Sequence, residues 1–183
     1  MAEVLKRLVS RDEYFRMAEV GMLAPSDRVE LLNGEIYEMS PVGSRHSSVV
    51  KKLAKILHNM HSDSILVGVQ DPVNFNEYNQ PEPDISVLKY RSDFYADQHP
   101  QPADTLLLIE VADSSITFDR DTKLPLYAEH DIPEYWIVDL KLDTIMIFQE
   151  PSGVDYAQRQ VYTAGDQVPM FGELIKVSTI LNL

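Results

Sequence analysis

The stretch TLLLIEVADSSITFDRDTKLPLYAEHDIPEYWIVD, Thr105 to Asp139, decides the fold. Leu106-Leu107-Leu108-Ile109, closed by Glu110-Val111, is an apolar run of strand length, the mark of a core strand. Asp119 to His130 then has a helical pattern. Pro125 predicts a start near Asp121 or Thr122, with the proline in the first turn, where its missing N–H is harmless. Tyr135-Trp136-Ile137-Val138 is a second apolar run, and both aromatics are expected in the core. Strand, helix, strand in this order favours a parallel pair joined by a right-handed crossover.

Outward from there the chain alternates similar units. Ser10-Arg11-Asp12-Glu13 has the form of a capping box, which predicts a short helix to about Glu19. Val29 to Leu32 and Glu35 to Met39 flank Asn33-Gly34, the pair that best tolerates the two positive φ values of a type I′ hairpin. From Ser47 to His61 the apolar positions Val49, Val50, Leu53, Ile56, Leu57 and Met60 recur at helical spacing, with Lys51, Lys52 and Lys55 on the remainder. Ser64 to Val69 and Pro72 to Phe75 are expected as strands, and another starts after Asp84. The segment from about Ser92 to Ala103 is expected to be a surface loop. Thr144 to Phe148 and short strands between Ala157 and Val177 complete the order. The prediction is an α/β fold, a mixed β-sheet flanked by helices, with an N-terminal hairpin and extra C-terminal strands. The chain has no repeat, low-complexity tract or dividing linker, so residues 1–183 are expected to form one domain.

Composition narrows the chemistry. The chain has 183 residues, 16 basic and 29 acidic, for a formal charge of −13. Such a balance opposes long-range steering towards a polyanion, so binding of nucleic acid should be weak and dependent on divalent cations. Cysteine is absent, which removes disulfides and, with no zinc-type motif, argues against a zinc site. No basic-then-apolar leader opens the chain and no apolar run approaches ~20 residues, which predicts a cytoplasmic protein off the membrane.

Against this background two acids stand out. Asp84, in Pro83-Asp84-Ile85-Ser86-Val87, opens an apolar run, and Glu110 closes one. A carboxylate at the edge of a core strand needs a positive partner to offset its desolvation. Two hard oxygen donors suit Mg²⁺ or Mn²⁺.

Pro83-Asp84, Glu110-Val111 and Lys123 do not stand alone. They are set among Val29-Glu30-Leu31-Leu32-Asn33-Gly34-Glu35, Ser40-Pro41, Arg45-His46-Ser47 and Glu134-Tyr135-Trp136-Ile137-Val138-Asp139. Together they resemble the Uma-two family of restriction-endonuclease-like proteins, a branch of the PD-(D/E)XK nuclease superfamily. The resemblance covers roughly Arg11 to Phe148. It implies a metal-dependent endonuclease that hydrolyses phosphodiester bonds, DNA being the expected substrate, and a homodimer as its working form. It implies Asp84, Glu110 and Lys123 as catalytic residues. Asp84, Glu110 and the Val111 carbonyl would hold Mg²⁺ or Mn²⁺, with Glu30 and His46 as accessory groups. The superfamily places its lysine two residues after the second acid. Ala112 occupies that position here, and the resemblance implies that the lysine has moved to Lys123 on the following helix.

Each of these residues also has a structural reading. Asp84 fits a strand-start acid facing a surface lysine, Lys123 a solvated helix residue, His46 a residue of the helix start, and Glu30 a cross-strand partner. Lys51, Lys52 and Lys55 form the best phosphate-facing patch, and equally a solvated helical face. Two other functions stay open. The missing Glu-x-Lys and the acidic charge fit a catalytically silent nucleic-acid-binding or assembly module. Paired carboxylates also serve glycosidases, but nothing in the sequence marks a sugar cleft.

Overall fold

The computed structural model describes residues 5–24, 26–60 and 64–182. The capping box forms as expected, so α1 spans Arg11–Glu19: the Ser10 hydroxyl accepts from the Glu13 N–H and the Glu13 carboxylate accepts from the Ser10 N–H. β1 (Val29–Leu32) and β2 (Glu35–Glu38) form the hairpin, Leu31 opposite Ile36, with Asn33 and Gly34 at φ 51° and 71°. Gly34 is needed twice over, because a Cβ there would also lie 2.5 Å from the Leu8 side chain. The amphipathic α2 runs Ser44–Met60, three residues earlier than its apolar periodicity predicts, and the expected end at His61 lies outside the described residues.

β3 (Ile65–Gly68), β4 (Ile85–Lys89) and β5 (Thr105–Ala112) come next. Then α3 (Ile116–Phe118) continues through a widened five-residue turn, Asp119–Lys123, into α4 (Leu124–Glu129). β6 (Glu134–Asp139), β7 (Thr144–Ser152) and β8 (Asp155–Tyr162) complete a six-stranded sheet in the order β3-β4-β5-β6-β7-β8. β5 and β6 are parallel, as the crossover predicts, and the other neighbours are antiparallel. β9 (Gln167–Met170) and β10 (Glu173–Lys176) form a separate hairpin, followed by α5 (Val177–Leu181).

Alternation along β5 splits the core between the two faces of the sheet. Leu107, Ile109 and Val111 join Val49, Leu53 and Leu57 of α2 and Trp136 on one side. Leu108 and Ala112 join Leu126, Tyr127, Tyr135 and Ile137 on the other. Each such side chain, fully buried, contributes about 1.5–3 kcal/mol. Glu110 shares the second face, and an unpartnered carboxylate there would cost more than a neighbour returns. The strand therefore forms only if position 110 is partnered.

Two sequence expectations need correction. Pro72 to Phe75 is not a strand. Its N–H groups are taken by loop carbonyls, Val73 N by Pro81 O at 3.0 Å, Asn74 N by Pro100 O at 2.8 Å and Phe75 N by Asn79 O at 3.1 Å, which leaves no ladder to join. The crossover helix starts at Ile116, ahead of the predicted Asp121 or Thr122. Pro125 marks the widened turn instead of the helix start. Leu124 N–H reaches back five residues to Asp119 O, so the usual i→i−4 bonding is already broken where the proline lacks its donor.

Candidate active site

β4 and β5 run antiparallel with Ile85 opposite Ile109. Asp84 precedes Ile85 and Glu110 follows Ile109, so the ladder itself makes the two acids neighbours. The Asp84 N–H lies 3.4 Å from Glu110 Oε2. Facing them, Asp119, Lys123 and Tyr127 recur every four residues along the crossover helix and are all buried. β1 adds Glu30. Exposure is 9% at Asp84, 4% at Glu110, 4% at Lys123 and 1% at Glu30, which removes the solvated-surface reading for all four.

The contacts are specific. Lys123 Nζ donates to Glu110 Oε1 at 3.0 Å and forms an ion pair with Glu30 Oε1 at 3.0 Å. Tyr127 OH also donates to Glu110 Oε1, at 2.9 Å. Asp84 Oδ2 meets His46 Nε2 at 2.9 Å and accepts from the Val111 N–H at 2.9 Å, while Oδ1 accepts from Gln70 Nε2 at 3.0 Å. The Glu82 N–H donates to Glu30 Oε2 at 3.2 Å. Glu30, His46, Asp84, Glu110, Val111 and Lys123 thus share one cleft of about 290 Å³. Lys51, Lys52 and Lys55 do not line it. Gln70, Tyr127, Glu82 and Asp119 are groups that the sequence reading missed. Only the four-residue spacing 119-123-127 could have signalled two of them.

Electrostatics divides the acids. Burial works to raise Asp84, but hydrogen bonds from His46, Val111 and Gln70 outweigh it and hold the carboxyl below its ordinary range. Burial pushes Glu110 well up, with Lys123 opposing and Asp119, Asp84 and Glu30 adding to the rise. Burial and the neighbouring Glu30 push Glu82 up to about 7, and burial drives Asp119 to about 6. Burial acts to lower Lys123, yet Glu110, Glu30 and Asp119 together keep its ammonium charged well beyond the ordinary lysine range.

The cleft is thus short of positive charge. Among its lining residues, carboxyl groups outnumber the permanent cations, Arg28 and Lys123, by seven to two. That deficit fits a bound cation. The donor chemistry fits Mg²⁺ or Mn²⁺, which take one or two carboxylates and keep several waters. Among the described residues no group of three or more His, Cys, Asp or Glu side chains is disposed as an all-protein metal cage. Asp84 and Glu110 are the two carboxylates available, and His46 Nε2 is already engaged by Asp84.

The fold is shared with a solved protein from Anabaena variabilis ATCC 29413, described as a "putative nuclease belonging to DUF820". The two superpose with a TM-score of 0.74 at 13% identity, covering 95% of this chain and 98% of that one. No curated protein matches the sequence. Residues 11–176 match the model of the Uma2 family, described as "Putative restriction endonuclease". That match takes in both acids, the lysine and every strand of the six-stranded sheet, so the chain belongs to the Uma2 family of restriction-endonuclease-like proteins.

Proposed function

We propose that the protein is a metal-dependent endonuclease that hydrolyses phosphodiester bonds of DNA, with Asp84, Glu110 and Lys123 as its catalytic groups. The observation that carries this reading is the placement of the Lys123 ammonium 3.0 Å from Glu110, in the cleft that also holds Asp84. Family membership supports a nuclease, and the charge deficit supports a divalent cation.

Asp84 and Glu110 would hold Mg²⁺ or Mn²⁺. Such an ion lowers the pKa of a bound water and offsets phosphate charge. The protein's own groups supply orientation and charge. Lys123 is kept protonated by its acidic neighbours, so it serves as a donor and cannot serve as a general base. An ammonium has three N–H donors, and Glu30 and Glu110 engage two of them. The third is free to meet the attacking water or the charge that builds on phosphate oxygens in the transition state. Glu30 anchors Lys123, Tyr127 anchors Glu110, and His46 anchors Asp84. The P–O bond to the leaving sugar oxygen breaks as the water oxygen bonds to phosphorus, leaving a 5′- or 3′-phosphate and a hydroxyl. A homodimer would place two such sites on a duplex, and sedimentation analysis checks that assembly.

The test is cleavage of plasmid and single-stranded DNA at low salt with Mg²⁺ or Mn²⁺, comparing the native chain with Asp84→Asn and Glu110→Gln. Metal-dependent nicking that disappears in both variants is expected. Metal binding without cleavage would favour a silent binding or assembly module. Cleavage unchanged in the variants would overturn the site.

A further inference from the structure

Gln70 sits in the turn that follows β3 with φ 56°, in the left-handed region. For a residue with a Cβ this conformation costs about 1–2 kcal/mol, and glycine would avoid the cost. A side chain retained under strain calls for a use. Two bonds tie this residue to Asp84: its backbone N–H donates to Asp84 O at 3.2 Å, and its side-chain Nε2 donates to Asp84 Oδ1 at 3.0 Å.

The lone pairs of the two acids show what the second bond does. Asp84 Oδ2 has both lone pairs engaged, one by His46 Nε2 and one by the Val111 N–H. Oδ1 gives one to Gln70 and keeps one. Glu110 Oε1 has both engaged, by Lys123 and Tyr127, while Oε2 receives only the 3.4 Å contact from the Asp84 N–H. Each carboxylate therefore offers a cation one oxygen, Oδ1 of Asp84 and Oε2 of Glu110.

We propose that Gln70 is a positioning residue that limits Asp84 to a single metal-facing lone pair and thereby selects a small octahedral ion over Ca²⁺. The inference rests on the metal-dependent reading above. Mg²⁺ and Mn²⁺ sites take one oxygen from each carboxylate and keep their waters, whereas Ca²⁺ accepts two oxygens of one carboxylate in a loose shell. With Gln70 in place the two-oxygen mode is closed. Without it Asp84 can turn and offer both oxygens.

The experiment is calorimetric titration of Mn²⁺ and of Ca²⁺ into the substrate-free full chain, for native protein, Gln70→Gly and Gln70→Leu, alongside thermal unfolding. Gln70→Gly relieves the backbone strain and keeps the main-chain bond to Asp84, so it should unfold within a few degrees of the native chain. It remains informative even if Gln70→Leu fails to fold. Mn²⁺ binding should weaken about 10- to 100-fold in the variants, the usual effect of losing a group that orients a ligand, with Ca²⁺ weakened less, so that the Mn²⁺/Ca²⁺ preference falls. A merely structural role would weaken both ions equally, and that result overturns the proposal, as does unchanged Mn²⁺ binding. If the native chain binds neither ion, the metal-dependent reading itself fails, and Gln70 with it.

Discussion

Replacing Lys123 by methionine removes a buried ammonium while keeping most of the side-chain volume. The structure sets the size of the loss. The ammonium lies 3.0 Å from Glu30 Oε1 and 3.0 Å from Glu110 Oε1, with 4% exposure, so water cannot take its place without opening the core. One positive charge lost is balanced by one proton gained on the carboxylates. Protonating a carboxyl of ordinary value 4.5 at about pH 7.5 costs roughly 4 kcal/mol, at 1.36 kcal/mol per unit. That matches the ~3–5 kcal/mol typical of breaking a buried ion pair. At about pH 5 the same uptake costs under ~1 kcal/mol. The sign follows from linkage. The folded variant binds one proton more than the unfolded chain, so its deficit relative to native protein deepens as pH rises above the ordinary carboxyl value. Urea unfolding of both proteins across this range measures the effect, with the m-value checking that the transition stays two-state. A deficit below ~1 kcal/mol near neutral pH, or one that is the same at both ends, would refute the balanced-charge account of the site.

Three smaller predictions follow from other parts of the molecule. Asp119 is raised from 3.8 to about 6 in the folded state, so it weakens stability as pH rises through that window and adds nothing further above it. Asp119→Asn removes the titration and keeps an acceptor for the Ser115 hydroxyl, so it should gain roughly 3 kcal/mol on native protein between about pH 4 and 7; a pH-independent difference would count against the assignment. Ser10→Ala opens the capping box of α1 and should cost about 1 kcal/mol in chemical denaturation. Gly68→Ala would bring a Cβ within 2.5 Å of Ser86 Oγ on the neighbouring strand, and should lower the urea midpoint by an amount worth about 1–3 kcal/mol.

The elements that the sequence disclosed are those with a local cause. The Ser10 to Glu13 box, the Asn33-Gly34 turn, the periodicity of α2 and the apolar runs of β5 and β6 each carry their own instruction. Asp84 and Glu110 were legible because a carboxylate bordering a buried strand is conspicuous. Lys123 was legible only through the resemblance, since nothing in Asp121-Thr122-Lys123 marks it as buried. Pro125 misplaced the helix start because a proline signals a break and does not say whether the break is an end or a widened turn. Pro72 to Phe75 looked like a strand because residue preference cannot show whether a ladder partner exists. Gln70 could not have been found. Its two bonds cross from the turn after β3 to the residue before β4, and only the closed hairpin brings them together.

The five-residue turn at Asp119–Lys123 makes chain length, more than residue identity, the guarded quantity in this part of the protein. Deleting one residue from it would turn everything downstream by about 100° around the helix axis. Lys123 and Tyr127 would then swing away from Glu110 together, whatever side chains they carried. Between Ile116 and Glu129 the chain should therefore accept many substitutions and no insertion or deletion. A relative one residue shorter there would have its crossover helix out of phase with the second acid. It would have to draw its cation from the strand itself, two residues beyond that acid, where this chain has Ala112.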